Sequence, residues 1–156
     1  MNLTKQLATQ FREQQLNGNW VATNLKTQLE DVTWTQATAK IGNHNTIAML
    51  AFHINYYVAG VLNVLKGGSL DIRDKYSFNM PPIESQADWE NLKNKIYGDA
   101  ELFADQVEAM PDETLWKDFV DRKYGNYYRN IMVIIEHSYY HLGQIALLKK
   151  LVPSSV

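Results

Sequence analysis

The stretch NIMVIIEHSYYHLGQIALLKKL (residues 130–151) decides the fold. Ile131, Ile134, Ser138, Ile145 and Leu148 recur at helical spacing on one stripe, the pattern of a helix that buries one face in a core. The pattern reaches back to Tyr127 and Pro153 closes it, so a helix is predicted over 127–151. Two histidines, His137 and His141, sit four residues apart within it. At about 100° and 1.5 Å per residue, such a pair lies roughly 40° and 6 Å apart, on one face of the helix. The two imidazoles can share a metal ion, but a single HxxxH pair also arises by chance, and the rest of the chain has to decide.

Working outward, TIAMLAFHINYYVAGVLNVLKGG (residues 46–68) is apolar nearly all round, which predicts a central helix that starts at an Asn45 cap and ends at Gly67 and Gly68. A helix is also predicted from Ser85, where SQAD resembles a capping box, through Trp89, Leu92, Ile96, Ala100, Phe103, Val107 and Met110, with Pro111 just beyond. The first helix is expected over Leu3–Leu16, with Leu3, Leu7 and Phe11 four apart, stopping at Asn17–Asn19. Between them, NLKTQLEDVTWTQATAKIG (residues 24–42) predicts a short helix over Thr23–Glu30 followed by a loop, because β-branched threonines favour helix less. The segment SLDIRDKYSFNMPPI (residues 69–83) is longer than an ordinary connection between antiparallel neighbours and suggests a crossover or a loop covering a site. Four amphipathic segments and no strand-like alternation predict an all-α four-helix bundle filling one domain, residues 1–156.

Composition removes several classes of function. The net charge of −2, with no long run of Lys or Arg, gives no footprint for nucleic acid or an anionic membrane. The chain has no cysteine, so disulfides, thiolate metal sites and a cysteine nucleophile are excluded, and any metal needs His, Asp or Glu ligands. The first residues lack the layout of a signal peptide, and no uninterrupted apolar run of about 18 residues is present, so a cytoplasmic protein is expected.

A third histidine, His53, falls on the interior face of the helix after Asn45, whereas His44 is phased to the opposite side near the helix start and is expected to be solvent-exposed or capping. Three buried imidazoles without partners are costly, and one metal ion between facing helices satisfies them together. Three protein ligands leave a coordination position open for water or substrate. The metalloprotease motif is absent, because Ser138 stands where HExxH requires Glu; Glu136 points about 100° away from His137 and is read as a solvated or helix-pairing carboxylate. Tyr56, Tyr57, Asn130 and Gln144 are the polar candidates near the site, either packed or supporting a histidine N–H or the substrate. The rings of YGNYYRN (residues 124–130) and KYSF (residues 75–78), with Arg129, fall near loop ends and either line a mouth or pack in the core or at a dimer contact.

One His in NTIAMLAFHINYY (residues 45–57), a long connection after it, and HSYYHLGQI (residues 137–145) in the closing helix together resemble the DinB-like (YfiT-like) metal-binding four-helix bundles, over essentially the whole chain. The resemblance implies an up-down-down-up bundle with a long connection between helices 2 and 3, a divalent ion on His53, His137 and His141, and often a homodimer. Characterised members of that superfamily use the metal to handle a low-molecular-weight thiol, as S-transferases or a thiol-dependent isomerase. The expectation is therefore a divalent-metal-dependent transferase that joins such a thiol to a small electrophilic substrate, with zinc, nickel, iron or manganese all acceptable to a three-His site. The alternatives are a protein that binds a metal or small ligand without turnover, and a structural dimer without activity.

Overall fold

A computed structural model of the chain describes residues 2–18 and 20–153. Among the described residues the structure is all-α, with six α-helices: α1 (Leu3–Arg12), α2 (Leu25–Leu29), α3 (Trp34–Thr38), α4 (Ile47–Leu65), α5 (Gln86–Ala109) and α6 (Tyr127–Leu151). Among the described residues there is no strand, only an isolated bridge between Asp118 and Asn126. Every one of the six helices starts on an Asn, Thr or Ser whose side chain accepts a backbone N–H of the first turn: Asn2, Asn24, Thr33, Thr46, Ser85 and Asn126.

α5 packs against both α1 and α4, and α6 packs mainly against α4 with a smaller contact to α1. The α1–α5 seam is aromatic, with the Phe11 and Phe103 rings 4.4 Å apart, and burying each ring fully stabilises the fold by roughly 1.5–3 kcal/mol. At the start of α5, Trp89 is fully buried and its Nε1 donates to the Val32 carbonyl at 2.8 Å, which ties the chain ahead of α3 to the core. On α6, the five stripe residues Ile131, Ile134, Ser138, Ile145 and Leu148 are all buried. α4 is 19 residues long with hydropathy 1.5, enough by length and composition alone to cross a membrane, but 61% of that window is buried inside the protein, where the apolar residues form the core.

The helix starts and stops differ from expectation in three places. The first helix is regular only to Arg12; a π-helical turn, Glu13–Asn17, continues it and turns Leu16 inward. Asn19, part of the expected stop, lies outside the described residues. The Thr-rich stretch is not all loop: Thr33 and Gln36 form a reciprocal capping box that starts α3, and burial of Ala37 against the core outweighs the weak propensity of the threonines. The cap of α4 is Thr46, not Asn45, because it is the Thr46 hydroxyl that accepts Met49 N–H at 3.2 Å.

Residues 69–83 carry one 3₁₀ turn, Asp74–Tyr76, and lie back along α4. Ile72 packs where a Cβ on Gly60 would stand, so the absence of a side chain at Gly60 lets the segment approach the helix.

Candidate metal centre

The packing of α4 against α6 brings His53 from one helix to His137 and His141 on the other. His53 and His141 are buried and His137 is half-buried. The Nε2 atoms converge: His53 to His137 is 3.1 Å, and His141 to His137 is 3.0 Å. Each residue offers a ligand nitrogen within 4.8 Å of the others, so the trio can hold a metal ion.

The outer nitrogens decide what the inner ones carry. His53 Nδ1 faces the Ser77 carbonyl at 3.3 Å, and a carbonyl only accepts, so Nδ1 carries the proton and Nε2 a lone pair. His141 Nδ1 faces Gln144 Oε1 at 2.7 Å and is protonated for the same reason. Two lone pairs are thus aimed at His137 Nε2, which as a neutral imidazole has at most one proton to give. One cation among the three nitrogens satisfies all of them. Two nitrogens each about 2.0–2.1 Å from a tetrahedral zinc stand about 3.3–3.4 Å apart, close to the separations from His137 to its two neighbours.

Electrostatics agree with neutral, ligating imidazoles. Burial, and then the neighbouring His141 and His53, push His137 down to about 4. His53 is lowered chiefly by burial and next by His141, against a smaller upward pull from the Ser77 carbonyl and Asp74. Three aromatic rings surround the trio. Phe78 stacks on His53 at 4.0 Å and 8°, Tyr57 stands edge-on to His53 and His137 at 5.1 and 4.9 Å, and Tyr140 stands edge-on to His141 at 4.8 Å.

The remaining sequence candidates divide. Gln144 reaches the site and holds His141, and Tyr57 borders it, its hydroxyl donating to Asp74 at 2.9 Å. Burial first, and then that bond to Asp74, raise the Tyr57 hydroxyl above the usual phenol range. Tyr56 faces the 69–83 segment, donating to the Arg73 carbonyl at 3.0 Å and accepting its N–H at 2.9 Å. Asn130 is directed elsewhere: its amide nitrogen donates to the Tyr124 and Asn126 carbonyls at 2.9 Å each, at the start of α6. His44 is exposed and outside the cluster, and Glu136 is exposed and paired with Arg129 at 3.3 Å. Of the rings near loop ends, Phe78 reaches the site, whereas Tyr127 packs on Phe119 and Tyr128 on Trp116.

Sequence reasoning missed Asp74 and the Ser77 carbonyl. The length of the 69–83 segment was the available signal; a backbone carbonyl as hydrogen-bond partner leaves none. Two cavities of about 380 Å³ are found among the described residues, neither lined by a histidine of the trio. One is between α4 and residues 69–72, and the other, lined by His44, Leu50 and Leu147, touches the centre only through Gln144. Comparison of the chain with models of known families, with curated proteins and with solved structures gives no match.

Proposed function

We propose that this chain is a divalent-metal protein of the DinB-like kind, an up-down-down-up four-helix bundle of α1, α4, α5 and α6 with the 69–83 segment as its long connection. The observation that carries the reading is the convergence of three imidazole Nε2 atoms, two of them deprotonated by what their Nδ1 atoms face. His53, His137 and His141 would hold the ion, and zinc, nickel, iron and manganese all suit such a set.

The activity proposed is transfer of a low-molecular-weight thiol to a small electrophile. A divalent ion at the trio supplies stabilisation of thiolate over thiol, which raises the nucleophile at neutral pH in a chain with no cysteine of its own. The protein's own residues keep the site dry and oriented: Phe78 and Tyr57 shield the imidazoles, and Ser77 and Gln144 fix their tautomers. A homodimer in the cytoplasm, with neither nucleic acid nor membrane as partner, completes the proposal.

One observation favours a second reading, binding without turnover: neither 380 Å³ cavity is lined by a histidine of the trio. The two are separated by assaying metal-loaded protein with cysteine, glutathione, coenzyme A and bacillithiol against an epoxide and a chloro-aromatic. Chelator-sensitive conjugation supports transfer. A panel without turnover, in protein that holds its metal, supports the binding reading.

A further inference from the structure

Four contacts fasten residues 72–78 along the middle turns of α4, running backwards from Gly60 to His53. Ile72 fills the gap over Gly60, where a Cβ would come within 2.3 Å of Ile72 Cγ1. The Tyr56 hydroxyl takes both the N–H and the carbonyl of Arg73, at 2.9 and 3.0 Å. The Tyr57 hydroxyl donates to Asp74 at 2.9 Å. Last, His53 Nδ1 meets the Ser77 carbonyl at 3.3 Å while Phe78 lies flat on the same ring at 4.0 Å. The 3₁₀ turn between these points is closed by its own bonds, Tyr76 N–H to the Arg73 carbonyl at 2.9 Å and Ser77 N–H to the Asp74 carbonyl at 3.0 Å.

The final fastening is also a candidate metal ligand. We infer that residues 72–78 form a clamp whose closure and metal binding at His53 reinforce one another, with Tyr56 as a positioning residue that acts on the metal only through this clamp. The inference rests on the metal reading given above. A bonded Ser77 carbonyl holds the proton on Nδ1 and so keeps Nε2 free to ligate; a cation on Nε2 in turn makes Nδ1–H a stronger donor to Ser77. Coupling of this kind is reciprocal, so whatever factor the clamp adds to metal affinity the metal adds to clamp closure. Loss of such an outer partner typically costs about 10–100-fold in metal affinity. Tyr56 itself packs on Phe52 and Tyr57 and bonds to Arg73, one step removed from the imidazoles.

The test compares zinc affinity of wild-type and Tyr56→Phe full-length protein by competition with a chromophoric chelator, and reads amide hydrogen exchange at Arg73, Tyr76 and Ser77 with and without zinc. The clamp predicts that Tyr56→Phe weakens zinc binding about 10-fold, and that zinc slows exchange at these amides in the wild type but less in the variant. Gly60→Ala, which crowds Ile72 and lifts the start of the clamp, is the second variant should Tyr56→Phe fail to fold, and it is expected to weaken zinc binding similarly. Wild-type protein that binds no zinc at all would overturn the metal reading itself. Zinc binding that is normal in a folded variant, with exchange at residues 73–77 indifferent to zinc, would overturn the clamp while leaving the metal site standing.

Discussion

Replacing Gln144 by Leu removes one hydrogen bond from the proposed centre and leaves all three ligands in place. Gln144 Oε1 accepts from His141 Nδ1 at 2.7 Å, the shortest of the polar contacts around the trio. When Nε2 of the same ring bears a cation, that N–H is polarised, and a hydrogen bond to a charged group contributes roughly 1.5–3 kcal/mol against about 0.5–1.5 kcal/mol for a neutral one. Only the excess over the neutral bond, about 1–1.5 kcal/mol, appears as lost metal affinity, about 5- to 13-fold, at the lower end of what removing an outer partner of a metal-bound histidine usually costs. Without metal the bond is neutral and Gln144 is half-buried, so the same substitution should shift stability by no more than about 1 kcal/mol. The assay is a zinc titration in competition with a chromophoric chelator, paired with urea unfolding of the metal-free protein. Asn130→Ala is the control: it loses two bonds at the start of α6 and should lower stability while leaving zinc affinity unchanged. Equal zinc affinities for wild type and Gln144→Leu would refute the tautomer argument, and a loss in Asn130→Ala as large as in Gln144→Leu would show that the effect is general loosening of α6.

His53→Ala, His137→Ala and His141→Ala should each lose stoichiometric metal on dialysis against zinc, whereas His44→Ala, exposed and outside the cluster, should keep it. In the metal-free protein His137 titrates at about 4, mainly because of burial, while an unfolded imidazole titrates near 6.5. Between those values the unfolded chain takes up a proton that the folded chain refuses, so this group makes stability fall as pH drops from about 6.5 to about 4 and has no effect above that window. Urea midpoints measured across the window should show a decline that His137→Leu reduces, and a steeper decline in the variant would contradict it. Ser138→Ala should raise stability by about 1 kcal/mol in a thermal melt, since the buried Oγ has no hydrogen-bond partner among the described residues. Phe103→Ala should cost about 3–5 kcal/mol by opening the seam with Phe11, and a loss below 1 kcal/mol would contradict the packing described.

The long helices were legible because each carries its own period and punctuation. α6 begins at Tyr127 and ends at Leu151 as its apolar spacing and Pro153 require, and α5 begins after Ser85 and ends before Pro111. α3 was not legible because its threonines are poor helix formers, and only a reciprocal bond between Thr33 and Gln36 together with tertiary burial starts it. The convergence of His53 with His137 and His141 could be read from helical phase, since phase decides which side of a helix faces the core. Asn130, seven residues before His137, shares its stripe by helical phase, but phase does not show that its amide nitrogen donates to the Tyr124 and Asn126 carbonyls at the start of α6. A backbone partner such as the Ser77 carbonyl leaves no trace in residue identity, so the contact that fixes the His53 tautomer is visible only in the fold, whereas Gln144, which fixes that of His141, was legible from its spacing.

X-ray absorption at the zinc edge, on full-length protein loaded with zinc and freed of excess by dialysis, measures the proposed centre most directly. Three imidazole nitrogens on one ion per chain predict a nitrogen shell at about 2.0–2.1 Å with the multiple-scattering pattern of three histidines. A first shell of oxygen alone, or zinc that dialyses away to well below one ion per chain, would contradict the claim that His53, His137 and His141 form a metal site.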